Sequence, residues 1–230
     1  MPERASLPAA AQRWLDRSAP LRVSAPARIE LHQRGTMESN ARWLSFKATA
    51  TYRADPLSFE WRARLRVLPG MWVDAVDGHA EGEGWGGAKL WGIKAMGHRS
   101  GPDVLAMQLI RNIAELAWLP DLATADPALA WVEVQGDAFE IRADAAGREV
   151  IVRFDLNEEG DVERASSPAR PYDVPEGFET AAWHCDFADH RDFDGVRIPA
   201  SVTATYDFED EPWEYFRAEV TRIERFDAGD

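Results

Sequence analysis

The chain has 230 residues, 45% of them hydrophobic with 10 Trp and 10 Phe, ample apolar side chain for a sizeable core. Forty acidic against 26 basic residues leave a net charge of −14, a field that repels phosphate and so excludes nucleic acid as a partner of the surface at large. One cysteine, Cys185, excludes an internal disulfide framework, and no window approaches the ~20 apolar residues of a membrane span; a cytoplasmic protein without stable membrane insertion is expected.

No low-complexity linker or fixed-period repeat divides the sequence, so a single domain over 1–230 is expected. Its parts are an N-terminal helix and linker (1–26), a first group of strands (27–99), a main helix (100–120) and a second group of strands (129–226). Pro8 to Ser18 reads as a short helix with Ala11, Trp14 and Leu15 on one stripe. Arg28 to Gln33 starts the sheet, and Leu44 to Tyr52 alternates apolar with polar. After a turn at Ala54-Asp-Pro-Leu57, Phe59 to Val67 alternates without exception: Phe59, Trp61, Ala63, Leu65 and Val67 on one face, Glu60, Arg62, Arg64 and Arg66 on the other. Met71 to Asp77 and Ala88 to Ile93 are shorter strands around a Gly-rich turn.

From Pro102 the period changes. Val104, Leu105, Leu109, Ile110, Ile113, Leu116 and Ala117 recur at three and four, which predicts a helix capped by Ser100 or Asp103 and ended by Pro120. Strands follow at Trp131–Gln135, Phe139–Ala143 and Val150–Leu156, whereas the proline-bearing stretch from Ser166 to Glu176 reads as a surface loop. Trp183, Cys185 and Phe187 alternate, and after the Asp194-Gly195 turn so do Val202, Ala204, Tyr206 and Phe208. The last strand slips phase between Val220 and Ile223, the mark of a bulge. About ten strands in one sheet must curl, and a helix in the mouth leaves a concave apolar face.

Several groups of residues carry chemistry in principle. His184, Cys185, Asp186, Asp189, His190, Asp192 and Asp194 supply metal-ligand types without a recognised ligand spacing; a polar strand end is the simpler reading. Cys185 points away from His184, which disfavours a nucleophile pair. Gly78 to Gly87 has the glycines of a phosphate loop, but it leads into a strand rather than a helix and carries Glu81 and Glu83. His98, Ser100 and Asp103 lack the nucleophile elbow of a triad, and Arg111 with Glu115 reads as an intrahelical ion pair. Arg62, Arg64 and Arg66 stand about 7 Å apart on one strand face, either paired with acidic residues or open to an anion.

A set of phrases in fixed order extends over the chain: Trp43-Leu-Ser-Phe-Lys-Ala48, Phe59-Glu-Trp-Arg-Ala-Arg64, Asp77-Gly-His-Ala-Glu-Gly-Glu-Gly84, Arg111-Asn-Ile-Ala-Glu-Leu-Ala-Trp-Leu-Pro120 and Pro212-Trp-Glu-Tyr-Phe-Arg217. In these the sequence resembles an uncharacterised bacterial family of hypothetical proteins, a domain of unknown function that brings no established activity. More distantly, His190-Arg-Asp-Phe-Asp-Gly195-Val-Arg-Ile-Pro199 is similar to a hairpin phrase of the lipoprotein-carrier superfamily of unclosed β-barrels, with His where Tyr is usual. That resemblance implies a half-barrel with a helical lid over a site for lipid acyl chains.

The expected fold is therefore α+β and mostly β: a large curved antiparallel sheet, an unclosed half-barrel, with the main helix on its concave face. The expected function is non-catalytic binding of a hydrophobic or amphipathic small molecule or lipid, without a cofactor. Phe59, Trp61, Leu65, Trp91, Ile110 and Trp118 are the expected ligand-binding residues, and Arg62, Arg64 and Arg66 the expected anion-binding ones; no catalytic or metal-ligating residue is assigned. The rivals are a metal-dependent enzyme using the His184–His190 cluster and a structural or interaction protein whose concave face is filled.

Overall fold

The computed structural model describes residues 4–19, 25–39, 41–54 and 56–227. Two α-helices, α1 (Ala9–Ser18) and α2 (Pro102–Ala114), accompany thirteen strands among these residues. The first six are β1 (Arg28–Ser39), β2 (Arg42–Ala54), β3 (Leu57–Leu68), β4 (Met71–Ala80), β5 (Glu83–Leu90) and β6 (Lys94–Ser100). The rest are β7 (Ala130–Glu133), β8 (Ala138–Ala145), β9 (Arg148–Leu156), β10 (Val162–Val174), β11 (Gly177–Phe193), β12 (Val196–Asp207) and β13 (Pro212–Phe226).

All thirteen form one antiparallel sheet in the order β6-β5-β4-β3-β2-β1-β13-β12-β11-β10-β9-β8-β7. Two meanders are thus zipped together where the first strand pairs with the last, Arg28 opposite Phe226. A twisted sheet of this size curls into an unclosed half-barrel. The chain leaves the sheet at one outer edge, β6, and returns at the other, β7; α2 lies in between, against β4, β5 and β6 on one side and β8, β9 and β10 on the other. The helix is on the concave face, as its apolar stripe requires.

The alternation of β3 becomes burial: Phe59, Trp61, Ala63 and Leu65 face inward, while Arg62, Arg64 and Arg66 are exposed. Helix α2 sits on β5 because Gly84 has no side chain; a Cβ there would lie 2.5 Å from the Leu105 backbone. Gly101, not Ser100 or Asp103, stands at the helix N-cap without a side-chain hydrogen bond, and Pro102 takes the first turn. The helix continues as a 3-10 turn, Glu115–Trp118, ending before Pro120. The predicted bulge in β13 falls at Thr221, where Gln33 pairs with Val220 and His32 with Arg222. Asp55 of the predicted β2–β3 turn lies outside the described residues.

Two stretches depart from the sequence reading. Residues 166–174 are strand rather than surface loop: β10 pairs with β11, and its prolines are accommodated by a bulge, Ser167 opposite Trp183 but Arg170 opposite Ala181. Lys94–Ser100 forms the edge strand β6, exposed along its whole length and so without an apolar alternation to announce it.

Candidate functional site

Between the concave sheet and α2 lies a cavity of about 950 Å³. Its floor is Trp61, Leu65 and Val67 of β3 with Val73 and Ala75 of β4; Trp183, Cys185, Phe187 and Ala204 of β11 and β12 face them. Helix α2 covers one side with Met107, Gln108 and Arg111, and Trp118 closes the far end. Each floor residue belongs to the inward phase of a half-buried strand, so alternation alone aims it at the cavity.

Aromatic side chains hold the walls in place. Trp61 is 1% exposed, donates from Nε1 to Gln33 Oε1 at 3.1 Å, and meets Phe46 edge-on at 5.7 Å between ring centres. Trp118 donates to the Pro199 carbonyl at 3.1 Å and stands edge-on to Phe187 at 5.6 Å. Cys185 faces the cavity, and burial pushes its thiol well above the usual range, so it is a poor nucleophile.

Polar groups converge in two places. Arg111 donates to Glu115 at 2.7 Å, the predicted i,i+4 pair, and lies 3.5 Å from Asp77, with its guanidinium over the rings of Phe59 and Trp61. Burial raises the Asp77 pKa against the opposing pull of Arg111, Arg99 and Arg170. Glu115 also accepts from the Tyr52 hydroxyl at 2.8 Å. Across the cavity, Arg170 sits among Trp183, Tyr206 and Tyr215, donating to both tyrosine oxygens. At the mouth, Arg99 of β6 pairs with Asp173 of β10, nine strands away in the sheet.

The residues expected to bind ligand separate into groups. Trp61, Leu65 and Trp118 line the cavity. Phe59 and Ile110 are core behind it: Phe59 stacks on Tyr52 at 6.1 Å and Ile110 is fully buried. Trp91 is 48% exposed at the β5–β6 turn, where it donates to the Gly70 carbonyl at 3.3 Å; the strand stops at Leu90, so Trp91 has no place on the inward face. Trp131, partly buried, stacks on Phe139 at the margin of the core. Arg62, Arg64 and Arg66 all lie on the convex face, away from the cavity; Arg62 pairs with Glu60 and Arg64 with Asp74, each at 2.7 Å.

The His184–His190 residues are strung along β11 instead of converging. His184 lies on the outer face between Asp207, 2.8 Å away, and Asp186, 3.4 Å away, while His190 is turned aside after Asp189, whose φ is +56°. The one group of three metal-ligand types brought together among the described residues is elsewhere: Glu30, His32 and Glu224 on β1 and β13. Each of these has a protein partner: Arg28 on Glu30 (2.5 Å), Thr49 on His32 (3.1 Å) and Arg222 on Glu224 (2.6 Å).

The sequence reading missed Arg170 and Tyr215. Both sit at bulges, Arg170 after Pro168 and Ala169, and Tyr215 where Thr205 pairs with Glu214 but Ala204 with Phe216. A bulge inserts one residue and re-aims the next, so simple alternation misplaces them. The available signal was the break in alternation at Pro168-Ala-Arg-Pro171.

No curated protein matches this sequence. Among solved structures, the chain superposes on a domain of Vibrio parahaemolyticus described as an outer membrane lipoprotein-sorting protein, with TM-score 0.51, 9% identity and coverage of 97% of this chain and 93% of that one. It also matches a LolA superfamily protein of Nitrosomonas europaea (TM-score 0.46, 11% identity, 96% and 95% covered) and a DUF1329 family protein of Desulfovibrio piger (0.48, 11%, 96% and 93%). At such identities the likeness concerns the fold. Residues 2–218 match the model of a family of unknown function, DUF6544, and the chain belongs to that family.

Proposed function

We propose that the protein binds a hydrophobic or amphipathic small molecule in the concave cavity without transforming it. The observation that carries this reading is the cavity: about 950 Å³, near the top of the ~300–1,000 Å³ typical of small-molecule sites, with mostly apolar walls and a few convergent polar groups. A filled core would have closed this space, and apolar wall left facing water costs about 25 cal/mol per Å² that a ligand's burial recovers. The Cys185 thiol is suppressed by burial, and the two histidines of β11 do not converge, so neither supports a reaction.

The test is native mass spectrometry with elemental analysis of the protein as purified, followed by titration with 1-dodecanol read through the cavity tryptophans Trp61, Trp118 and Trp183. A copurifying lipid-like mass, or saturable one-to-one uptake of the alcohol, is expected. Ala75→Trp, which places a ring in the cavity, should weaken that uptake by about tenfold or more, equivalent to roughly 1.4 kcal/mol. No bound mass and no uptake would sink the proposal, and stoichiometric zinc or iron would favour a metal enzyme.

A further inference from the structure

Arg170 is the anomaly of the cavity. It is 5% exposed and lines the space, yet among the described residues no carboxylate pairs with it. Its hydrogen bonds run from Nη1 alone to the hydroxyls of Tyr206 and Tyr215, and its buried Nε has no acceptor among the described residues. The rings of Trp183 and Tyr206, 4.7 and 5.3 Å from the guanidinium carbon, offset part of the cost of removing a cation from water. They supply no counter-charge, and a buried charge is ordinarily paired.

The other carboxylates of the cavity are engaged elsewhere. Asp77 and Glu115 hold Arg111, Asp173 holds Arg99, and Glu38 accepts from Trp213 Nε1 at 2.7 Å. Asp77 lies within electrostatic reach of Arg170, but its hydrogen bond is with Arg111. Arg111 is itself near enough to repel Arg170.

We infer that the ligand is a single-chain amphiphile with a singly charged anionic head group, held by the guanidinium of Arg170 while its chain lies on the apolar floor of β3 and β4. The inference rests on the cavity being a binding site at all. A guanidinium presents two parallel N–H donors to a carboxylate, and here Tyr206 and Tyr215 engage Nη1 alone while the buried Nε keeps no partner among the described residues. A doubly charged head fits less well, because Asp77, Glu115 and Asp173 line the same space.

The protein is titrated at pH 8 with laurate, dodecyl phosphate and 1-dodecanol, each below its micellar concentration, with tryptophan fluorescence and calorimetry as readouts. Laurate should bind at least about tenfold tighter than the alcohol, the size of one charge-assisted hydrogen bond, and tighter than the phosphate. Arg170→Met should bring laurate and alcohol within about twofold of each other by weakening laurate far more than the alcohol, whereas a purely structural role for Arg170 would weaken both alike. Equal affinities in the wild type would overturn the inference and leave the binding proposal standing, whereas failure of all three ligands would remove both. Tighter phosphate binding would overturn the single charge, and an Arg170→Met protein that keeps its laurate preference would overturn the role of Arg170. Should that variant fail to fold, the wild-type laurate-to-alcohol ratio still decides.

Discussion

His79 stands in the core where α2 crosses the sheet, its Nε2 2.9 Å from Asn112 Nδ2 and its ring edge-on to Phe59. Burial lowers its pKa to about 4 from a usual 6.5. Between those values the unfolded chain binds a proton that the folded one refuses, so stability rises with pH from about 4 to 6.5 and is flat above. Urea unfolding at pH 7.5 and at pH 5 should therefore differ by about 2 kcal/mol, and His79→Gln should flatten that difference; an unchanged slope in the variant would place the effect elsewhere. Arg170→Met makes a contrasting prediction. Removing a buried cation that has no ion partner among the described residues should leave the ligand-free protein melting no lower than wild type. How much of the site the sequence reveals follows the same division. Trp61, Leu65, Arg111 and Glu115 sit in regular elements, where period two or an i,i+4 spacing fixes direction. Arg170 and Tyr215 are placed by bulges, whose position depends on the partner strand as much as on their own.

Helix α1 shows how an element outside the sheet is held. Trp14 is 1% exposed and stacks on Phe139 at 5.6 Å and Phe154 at 6.2 Å, so the helix caps β8 and β9 through one ring. A second anchor is Asp161, which accepts from Arg17 of α1 and Arg197 of β12, each at 2.8–2.9 Å. Burial works against its charge, but the hydrogen bonds from Arg197 and Arg17 prevail and hold its pKa near 2. Its contribution is thus complete above the usual 3.8 and is lost as pH falls through about 2. Trp14→Ala should cost about 3–5 kcal/mol and Asp161→Ala about 2–3 kcal/mol in thermal or urea unfolding at pH 7. If α1 is only loosely docked, both losses will fall below 1 kcal/mol. Most elements were legible from local pattern: α1, α2 and the alternating strands appear near their expected places because each buries one face. The edge strand β6 buries neither face, and β10 combines two prolines with a bulge; pairing to a neighbour defines both, and that is long-range information.

As a whole the molecule is two meanders joined at β1 and β13, with α2 crossing between the outer arms. At the mouth, Arg99 and Asp173 are each 43% exposed, so their pairing is worth no more than about 1 kcal/mol and is screened by salt. Arg99→Ala should accordingly leave the melting temperature nearly unchanged while speeding both uptake and release of 1-dodecanol in stopped-flow fluorescence. High salt should speed exchange in the wild type and not in the variant; equal rates in all three cases would show that the pair does not govern passage. The open sheet carries a further consequence. In a closed barrel, strand number and shear fix the diameter, and no side chain can alter it without breaking backbone hydrogen bonds. Among the described residues no ladder joins β6 to β7, so the girth of this vessel is set by side-chain packing, chiefly of α2 between the two arms. Its bore is therefore adjustable by substitution while every strand register stays as it is.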